Sequence, residues 1–406
     1  MNSLRPPQTG AELEIRYLIE ACGPITFAEF MAIALRWPDG GYYSTRLPLG
    51  PSGDFYTAPL THPVFGALLA REIAEMWRAS GSPDRWWVVE PGAGNGRLAA
   101  DVSAAVELEH KRLVSSLRYL AVDLSQTVGE DAEVEWARSN AIPVRDLCGV
   151  VLGNELFDAL PVHRVTTRDG QLRELRVGVG DEGEFADVIA PPTDGIQERL
   201  ERLGVRLAEG HVTEVCLEAN RWLEDAGAAI ASGYLLLIDY GHESSAYYDE
   251  SRNRGTLRTY YRHTLGMDPY QHVGRQDLSV HVEFTSVREI AAHAGFTDVG
   301  VTTQGQFLRN LGFDTYREAV LSLTNVPQAI KAANVRAMDS LVDPEGMGGF
   351  KVVAFSKSLP DAKLIGFDGP PPSEEVVAAL AGPRHMPLPG MGQEEIEMPT
   401  WGELLQ

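Results

Sequence analysis

Apolar residues recur at helical spacing near the start of the chain. Over residues 12–37 this spacing is interrupted at Gly23, which predicts two helices. Thr26 and Glu29, three positions apart, are typical of a capping box on the second helix. Another helix is predicted over 63–79. We therefore expect the chain to begin with a helical cap.

Short apolar runs of strand length follow this cap and alternate with helical spacing. A helix over 97–108 comes after the first run. The predicted strands lie over 86–90, 117–123, 149–154, 234–240 and 350–357. This order is typical of an α/β fold with a doubly wound, mostly parallel Rossmann-like sheet.

Two stretches interrupt the alternation and are interpreted as insertions after strands. The first, at about 163–210, begins with a hairpin whose turn signal is Asp169-Gly170. The second, at about 242–285, is polar and aromatic. After Leu359 the composition shifts to proline, glycine and acidic residues, which predicts a peripheral tail without a core of its own. The expected parts are a cap and substrate loop over 1–85, a core over 86–358 and a tail over 359–406.

The chain is acidic, with a formal net charge of -22. This charge disfavours binding to nucleic acid or anionic membranes and suits a cationic partner, although acidity also serves solubility alone. The three cysteines have no paired spacing, so neither a disulfide framework nor a metal site is expected. No apolar run approaches the ~20 residues of a membrane span, and residues 1–8 carry no recognisable export signal. We expect a soluble cytoplasmic protein and leave a homodimer open.

A glycine-rich segment, EPGAGNG, occupies residues 90–96 directly after the first predicted strand. Ligands of open α/β sheets bind beyond the carboxyl ends of the strands, where glycine lets the backbone approach them. Gly92, Gly94 and Gly96 are the candidates for this contact. Glu90 stands before the loop, where a carboxylate suits the cationic amino group of S-adenosylmethionine and repels a pyrophosphate. S-adenosylmethionine is therefore favoured over NAD as the cofactor.

The other predicted cofactor contacts lie at the ends of the next two strands. Asp123 ends the second strand, where a carboxylate accepts hydrogen bonds from both hydroxyls of a ribose. Leu124 follows it, and Asn154 ends the third strand. Carboxylates at two strand ends make the glycine loop a much stronger signal than it is alone.

Several sequence blocks occur together in one order. The most specific is GNELFDALPV at 153–162, and the others are GDFYT at 53–57, DYG at 239–241, GTLR at 255–258, HVEF at 281–284 and GGFKV at 348–352. On these blocks the chain resembles, over roughly 23–357, the MidA-like family of class I methyltransferases that use S-adenosylmethionine. Mitochondrial members methylate an arginine on a complex I subunit, so the resemblance implies a methyltransferase fold and a protein arginine acceptor. After Thr57 the family usually has serine, proline and glutamate, whereas this chain has Ala-Pro-Leu.

The polar residues around the third strand end are the predicted catalytic groups. Asn154 and Glu155 lie where a donor methyl would face its acceptor. The carboxylates of Glu155 and Asp158 suit a guanidinium, which stays protonated and must be oriented and relieved of positive charge. The alternatives are that Glu155 answers a helix dipole and that Asp158 is solvated or caps a helix.

The predicted substrate contacts come from the glycine- and proline-rich stretch over 38–59 and from the second insertion. They are Tyr43, Asp54, Phe55, Thr57, His281 and Glu283. Aromatic faces such as those of Tyr43 and Phe55 attract cations, although packing explains them equally well. His281 and Glu283 are two positions apart and would share one face of a strand, with an internally satisfied histidine as the alternative.

The leading hypothesis is a methyltransferase acting on a protein arginine. Methylation of a small molecule or peptide natural product at nitrogen or oxygen is the first alternative, because fold and cofactor do not fix the substrate. A noncatalytic assembly factor that retains the cofactor pocket and an NAD-linked oxidoreductase are the alternatives from other classes.

Overall fold

The computed structural model describes residues 7–45, 57–124, 134–262, 264–324, 326–359 and 363–367. The helices in these ranges are α1 (Gly10–Cys22), α2 (Phe27–Arg36), α3 (Tyr42–Thr45), α4 (Ala58–Thr61), α5 (Val64–Ala79), α6 (Arg97–Glu109), α7 (Lys111–Val114), α8 (Ile196–Arg202), α9 (Glu218–Ala229), α10 (Ser244–Tyr247), α11 (Phe284–His293), α12 (Gln304–Asn310), α13 (Phe313–Ser322) and α14 (Gln328–Leu341). Two further single turns of 3-10 helix lie at Glu250–Arg252 and Met347–Gly349.

The strands fall into one large sheet and three smaller ones. They are β1 (Trp86–Pro91), β2 (Leu117–Asp123), β3 (Val134–Arg138), β4 (Leu147–Asn154), β5 (His163–Arg168), β6 (Gln171–Val179), β7 (Phe185–Ala190), β8 (Val212–Val215), β9 (Ile230–Asp239), β10 (Gly241–His242), β11 (Arg258–Tyr261), β12 (Thr264–Gly266), β13 (Asp277–Ser279), β14 (Val282–Glu283), β15 (Thr297–Thr303) and β16 (Lys351–Lys357).

The large sheet has seven strands in the order β15-β16-β9-β4-β1-β2-β3. Strands β9, β4, β1, β2 and β3 pair in parallel, and β16 runs antiparallel to both β9 and β15. The predicted doubly wound, mostly parallel sheet is confirmed. The strands β3 and β15 were not predicted, because both are sheet edges with largely exposed or half-buried residues and lack an apolar run.

The N-terminal helices α1 and α2 form with the predicted capping box. Thr26 Oγ1 accepts the Glu29 N–H at 3.1 Å, and Glu29 Oε2 accepts the Thr26 N–H at 2.8 Å. Phe30 of α2 packs edge-on against Phe185 and Tyr270, which belong to the two insertions. The cap therefore packs against both insertions. This packing places the end of α2 and the following α3 near the carboxyl edge of the large sheet.

The two insertions form small sheets of their own. The first is a four-stranded antiparallel sheet in the order β7-β6-β5-β8, and its β5–β6 turn has Asp169 and Gly170 at φ of 53° and 70°. Two left-handed residues are what a tight type I′ hairpin turn requires. The second insertion contains the antiparallel sheet β12-β11-β13, in which Tyr260 pairs with Asp277.

Residues 363–367, which lie within the predicted peripheral tail, pack against the core. Leu364 and Phe367 are buried in the same apolar cluster as helix α5. The Asn310 side-chain amide donates to the carbonyl oxygens of Gly366 and Phe367, at 3.1 and 3.0 Å. Apolar side chains after the main fold are therefore enough to dock this short piece, despite its polar surroundings in the sequence.

The Glu72 carboxylate is fully buried beneath this docked piece, and its Oε2 accepts the Gly366 N–H at 3.1 Å. Burial raises its pKa to about 8. Because the pKa is raised above the unfolded value, the folded state holds a proton that the unfolded state releases, and stability falls as pH rises from about 4.5 to 8. We expect Glu72→Gln to remove this loss, so its melting temperature relative to the parent should rise by about 2 °C or more between pH 5 and pH 9.

Melting curves of both proteins over this pH range are the measurement. Glu107→Gln, an exposed carboxylate on α6, is the matched control and should track the parent. Parallel curves for Glu72→Gln and the parent would show that the buried carboxylate titrates normally.

Candidate active site

A cavity of about 680 Å³ opens at the carboxyl ends of the parallel strands. Its lining divides into two sides. One side, which we call the cofactor side, consists of the glycine loop after β1 and the ends of β2 and β4. The other, which we call the acceptor side, consists of the ends of α2 and β9, the helix α3, the starts of α4 and α9, the second insertion and the loop before β16. This is where the topology of an open parallel sheet places a ligand.

The glycine loop is held by the end of the neighbouring strand β2. The N–H groups of Gly92 and Ala93 donate to the Val122 carbonyl at 2.8 and 3.2 Å, and the Gly94 N–H donates to Asp123 Oδ2 at 2.8 Å. These amides are therefore already bonded within the protein and do not form a free nest for a phosphate group. The geometry fits S-adenosylmethionine, which has no phosphate, better than NAD.

The three glycines have different positions in this loop. Gly92, Gly94 and Gly96 all adopt positive φ, at 75°, 57° and 76°. Gly92 and Gly94 line the cavity. Gly96 does not, because it is the N-cap of α6, where an added Cβ would lie 2.5 Å from the Trp136 ring. The cofactor contact of Gly96 therefore stays a prediction, and in this structure Gly96 turns the chain into the helix.

Glu90 lies beneath the loop and lines the cavity. It is 4% exposed, and its Oε2 accepts the Tyr119 hydroxyl at 2.8 Å. Burial raises its pKa to about 8, and the charge of Asp123 adds to this effect. A cationic amino group placed beside Glu90 would stabilise the ionised carboxylate, which suits the methionine end of the expected cofactor.

The remaining predicted cofactor residues, Asp123, Leu124 and Asn154, line the same side of the cavity. The Asn154 amide donates to Glu155 Oε1 at 3.3 Å, and Asn154 Oδ1 is buried without a partner among the described residues. A buried unpartnered oxygen is costly, so it indicates a ligand donor at this point. Sequence analysis missed other residues on this side, namely Ser139, Asn140, Ala141 and Trp222.

Glu155 follows β4 with φ at 47°, a left-handed conformation that is uncommon for a residue with a side chain. Its N–H donates to the Ile238 carbonyl at 2.8 Å, and its Oε1 accepts the N–H of Ala58, the first residue of α4, at 3.1 Å. Burial raises the pKa of Glu155 to about 8, with the charge of Asp158 as the second cause. Among the described residues, the hydrogen bond from Ala58 is the observation that supports the helix-dipole alternative, and α4 is only four residues long.

Asp158 also lines the cavity, and the alternative that it is solvated is wrong. It is 9% exposed, and its Oδ2 accepts the Tyr240 hydroxyl at 2.6 Å. Its Oδ1 is buried without a partner among the described residues. Burial raises the pKa of Asp158 to about 6. Asp158 is therefore a buried carboxylate beside the cavity, with one oxygen oriented by Tyr240.

Three of the predicted substrate residues, Tyr43, Thr57 and His281, line the acceptor side of the cavity. Asp54 and Phe55 lie outside the described residues. The His281 ring is hydrogen-bonded to the His242 ring, with Nδ1 of His281 3.1 Å from Nε2 of His242.

Glu283 does not line this cavity, and the predicted shared strand face with His281 is wrong. Glu283 is the N-cap of α11, where its carboxylate accepts the N–H groups of Thr285 and Ser286. The strand here, β14, consists of two residues only, and the chain enters a helix immediately afterwards. His281 lies outside this strand, so His281 and Glu283 cannot share a face of it.

Sequence analysis missed most of the acceptor side. The missed lining residues include Arg36, Glu218, Tyr240, Arg258, Tyr260, Asp277, Ser279, Glu345 and Phe350. Tyr240, Arg258 and Phe350 lie inside the sequence blocks noted above, which was a usable signal. Arg36 and Asp277 carried none, because only the packing of the cap and the second insertion brings them to the sheet edge.

A family model of S-adenosyl-L-methionine-dependent methyltransferases matches residues 68–302. The chain belongs to this family. Among curated proteins, the mitochondrial protein arginine methyltransferase NDUFAF7 of Rattus norvegicus is 30% identical over 82% of this chain and 81% of that protein. The Mus musculus protein of the same name is 31% identical over 87% and 85% of the two chains. The NAD-linked oxidoreductase hypothesis is thereby set aside.

A solved structure agrees with this assignment. A Burkholderia thailandensis protein crystallised with S-adenosyl-homocysteine is 33% identical, with a TM-score of 0.78 over 92% of this chain and all of that one. The chain is therefore a methyltransferase that uses S-adenosylmethionine.

The comparisons do not support a cytoplasmic location, because the rodent relatives are named as mitochondrial. The cytoplasm stays a prediction. Among the described helices, none has the length and apolar character that a bilayer crossing requires.

We expect Asp123→Ala to weaken S-adenosylmethionine binding by at least about 10-fold, the size of one lost charged hydrogen bond. The variant loses both the carboxylate facing the cavity and the anchor of the Gly94 N–H. Calorimetry with the cofactor is the measurement. Asp339→Ala, which removes a carboxylate paired with Arg317 outside the cavity, is the control, and unchanged affinity for Asp123→Ala would contradict its role.

Proposed function

We propose that this methyltransferase acts on the guanidinium group of a protein arginine. The observation that carries the proposal is the charge of the cavity lining, which contains seven carboxylates against two guanidinium groups among the described residues. Two of these carboxylates, Glu90 and Asp123, lie on the cofactor side and Glu155 lies at the junction, which leaves four on the acceptor side. Such a lining favours a cationic acceptor over a neutral or anionic one.

The relatives support the same acceptor. The Rattus norvegicus, Mus musculus and Homo sapiens proteins, between 29% and 31% identical to this chain, are all named protein arginine methyltransferases. Identity at this level extends over at least 82% of this chain and 81% of each of these relatives. A protein acceptor is therefore favoured over a small-molecule natural product.

S-adenosylmethionine, when bound, supplies a methyl group on a positively charged sulfur, which keeps the bonding electrons while the acceptor nitrogen binds the carbon and loses one proton. In this proposal Asn154, Glu90 and Asp123 hold the cofactor, and the carboxylate of Glu155 accepts the proton. Glu155 is well placed for this role, because it lies at the junction of the two sides and its pKa of about 8 makes it a stronger base than an ordinary carboxylate.

Asp158 has a different part in the proposal. Its carboxylate lines the cavity and accepts an N–H of the incoming guanidinium, and the Tyr240 hydroxyl fixes the orientation of Oδ2. An ionised carboxylate hydrogen-bonded to a guanidinium is a strong, directional pair. Orientation matters here, because methyl transfer requires the nitrogen to lie in line with the bond that breaks.

We expect Glu155→Gln to lower single-turnover methyl transfer by ~100-fold or more, since the substitution keeps the shape but removes the base. Cofactor affinity should stay close to that of the parent. The measurement is transfer of a labelled methyl group from S-adenosylmethionine to proteins of the native cell. Mass spectrometry then shows whether the added methyl group lies on arginine. Glu224→Gln, an exposed carboxylate on α9, is the matched control.

The pH profile provides a second readout of the same variant. A carboxyl group with a raised pKa is protonated at lower pH, so kcat/KM of the parent should rise as pH increases through about 8. Glu155→Gln should lose this limb. A normal rate with a lowered melting temperature would instead assign Glu155 a purely structural role through its bond to Ala58, and label on residues other than arginine would contradict the proposed acceptor.

A further inference from the structure

Asp277, a buried carboxylate of the second insertion, lines the acceptor side of the cavity together with Asp158. It lies on β13 and is 3% exposed. Its Oδ1 accepts the hydroxyl of Tyr43, which comes from α3 of the cap, at 2.7 Å. The carboxylate is therefore fixed between two parts of the chain that are distant in sequence.

Asp277 and Asp158 form a matched arrangement. Each carboxylate lines the cavity and accepts a hydrogen bond from one tyrosine, Tyr43 for Asp277 and Tyr240 for Asp158. The segment after β13 runs against the loop that carries Asp158, since the Val280 N–H donates to the Asp158 carbonyl at 3.0 Å. The two acidic side chains thus reach the same space from the insertion and from the core.

This pair is electrostatically unfavourable without a cation. Burial, and then the charge of Asp158, raises the pKa of Asp277 to about 7. Arg36 and Arg258 also line the cavity, but each donates to a backbone carbonyl at 2.8 Å, Arg36 to that of Ala159 and Arg258 to that of Leu257. Asp158 Oδ1 still has no partner among the described residues. Two like charges kept close in a buried site indicate a cationic ligand.

We propose that Asp277 and Asp158 hold the acceptor guanidinium from two sides and thereby select arginine over lysine. A planar guanidinium has five N–H donors, so it bonds two carboxylates while one nitrogen remains directed at the methyl group. An ammonium group is a compact point charge without this planar fork. The inference rests on the proposed arginine acceptor and adds Asp277, with Tyr43 as its positioning residue.

A purely structural reading of Asp277 is that its bond to Tyr43 fastens the cap to the second insertion. That reading predicts a loss of stability without a change in ligand selectivity. The two readings are separated by measuring binding in the folded protein, independently of turnover.

The experiment is calorimetry on the full chain saturated with S-adenosyl-homocysteine. The probes are one short peptide with a central arginine and the same peptide with citrulline or lysine at that position, because citrulline keeps the shape without the charge. We expect the parent to prefer the arginine peptide and Asp277→Asn to bind it at least about 10-fold more weakly. The arginine-to-lysine ratio should fall, and S-adenosyl-homocysteine affinity should not change.

Asp187→Asn is the matched control. Asp187 also accepts a tyrosine hydroxyl, from Tyr270, but it does not line the cavity. This variant should bind all three peptides as the parent does. If Asp277→Asn is too unstable to measure, Tyr43→Phe keeps the carboxylate and removes only its positioning hydroxyl, and should weaken arginine-peptide binding by about 3-fold or more.

The outcomes distinguish this inference from the function on which it rests. A parent that prefers arginine, with folded Asp277→Asn and Tyr43→Phe variants that bind it equally well, would overturn the role of Asp277 and leave the proposed function standing. A parent that binds the arginine and citrulline peptides alike would overturn both.

Discussion

The carboxylate of Asp239, at the end of β9, holds together the segment from which the site is built. Its Oδ2 accepts the N–H groups of Leu156, Phe157 and Asp158 at 3.1, 2.9 and 3.2 Å, and its Oδ1 accepts the N–H of Tyr240 at 2.9 Å. Backbone amides that would otherwise be buried without partners are thereby satisfied by one side chain. The chain can leave β4 in a tight turn because of this anchor.

That turn determines where the chemistry lies. Glu155 is held in a left-handed backbone conformation, which costs free energy and persists only when its surroundings fix it. Its side chain is thereby buried at the junction between the cofactor side and the acceptor side of the cavity. Asp158 follows in the same turn and also lines the cavity. One backbone turn thus places both carboxylates at the cavity.

The two sides of the cavity differ in how they are assembled. The cofactor side comes from loops that directly follow β1, β2 and β4, so its contacts are fixed by the parallel sheet. The acceptor side combines the cap, the second insertion and the loop before β16. The hydrogen bond from the Tyr43 hydroxyl to Asp277 joins the cap to the second insertion. Buried carboxylates with raised pKa values are the electrostatic cost of this assembly. A cationic acceptor would offset that cost, which links the acidity of the cavity to its selectivity.

Sequence alone determined the elements whose signals are local. Apolar periodicity located the central strands, and short residue motifs located the Thr26 capping box and the Asp169-Gly170 turn. These predictions succeeded because a helix cap and a hairpin turn depend on residues a few positions apart. Glycine spacing and strand-end carboxylates predicted the cofactor contacts, and Glu90, Gly92, Gly94 and Asp123 line the cavity. The sequence blocks also pointed to Glu155 and Asp158.

Only the tertiary structure shows how the acceptor side is assembled and where the 363–367 segment packs. Asp277 sits in a three-residue strand far from the glycine loop, and it meets Asp158 only because the second insertion folds back over the sheet edge. The strand face expected for His281 and Glu283 is absent because β14 has only two residues, Val282 and Glu283, before the next helix begins. The 363–367 segment joined the core through two buried apolar side chains. Such contacts join residues tens to hundreds of positions apart, and neither periodicity nor spacing encodes which distant segments meet.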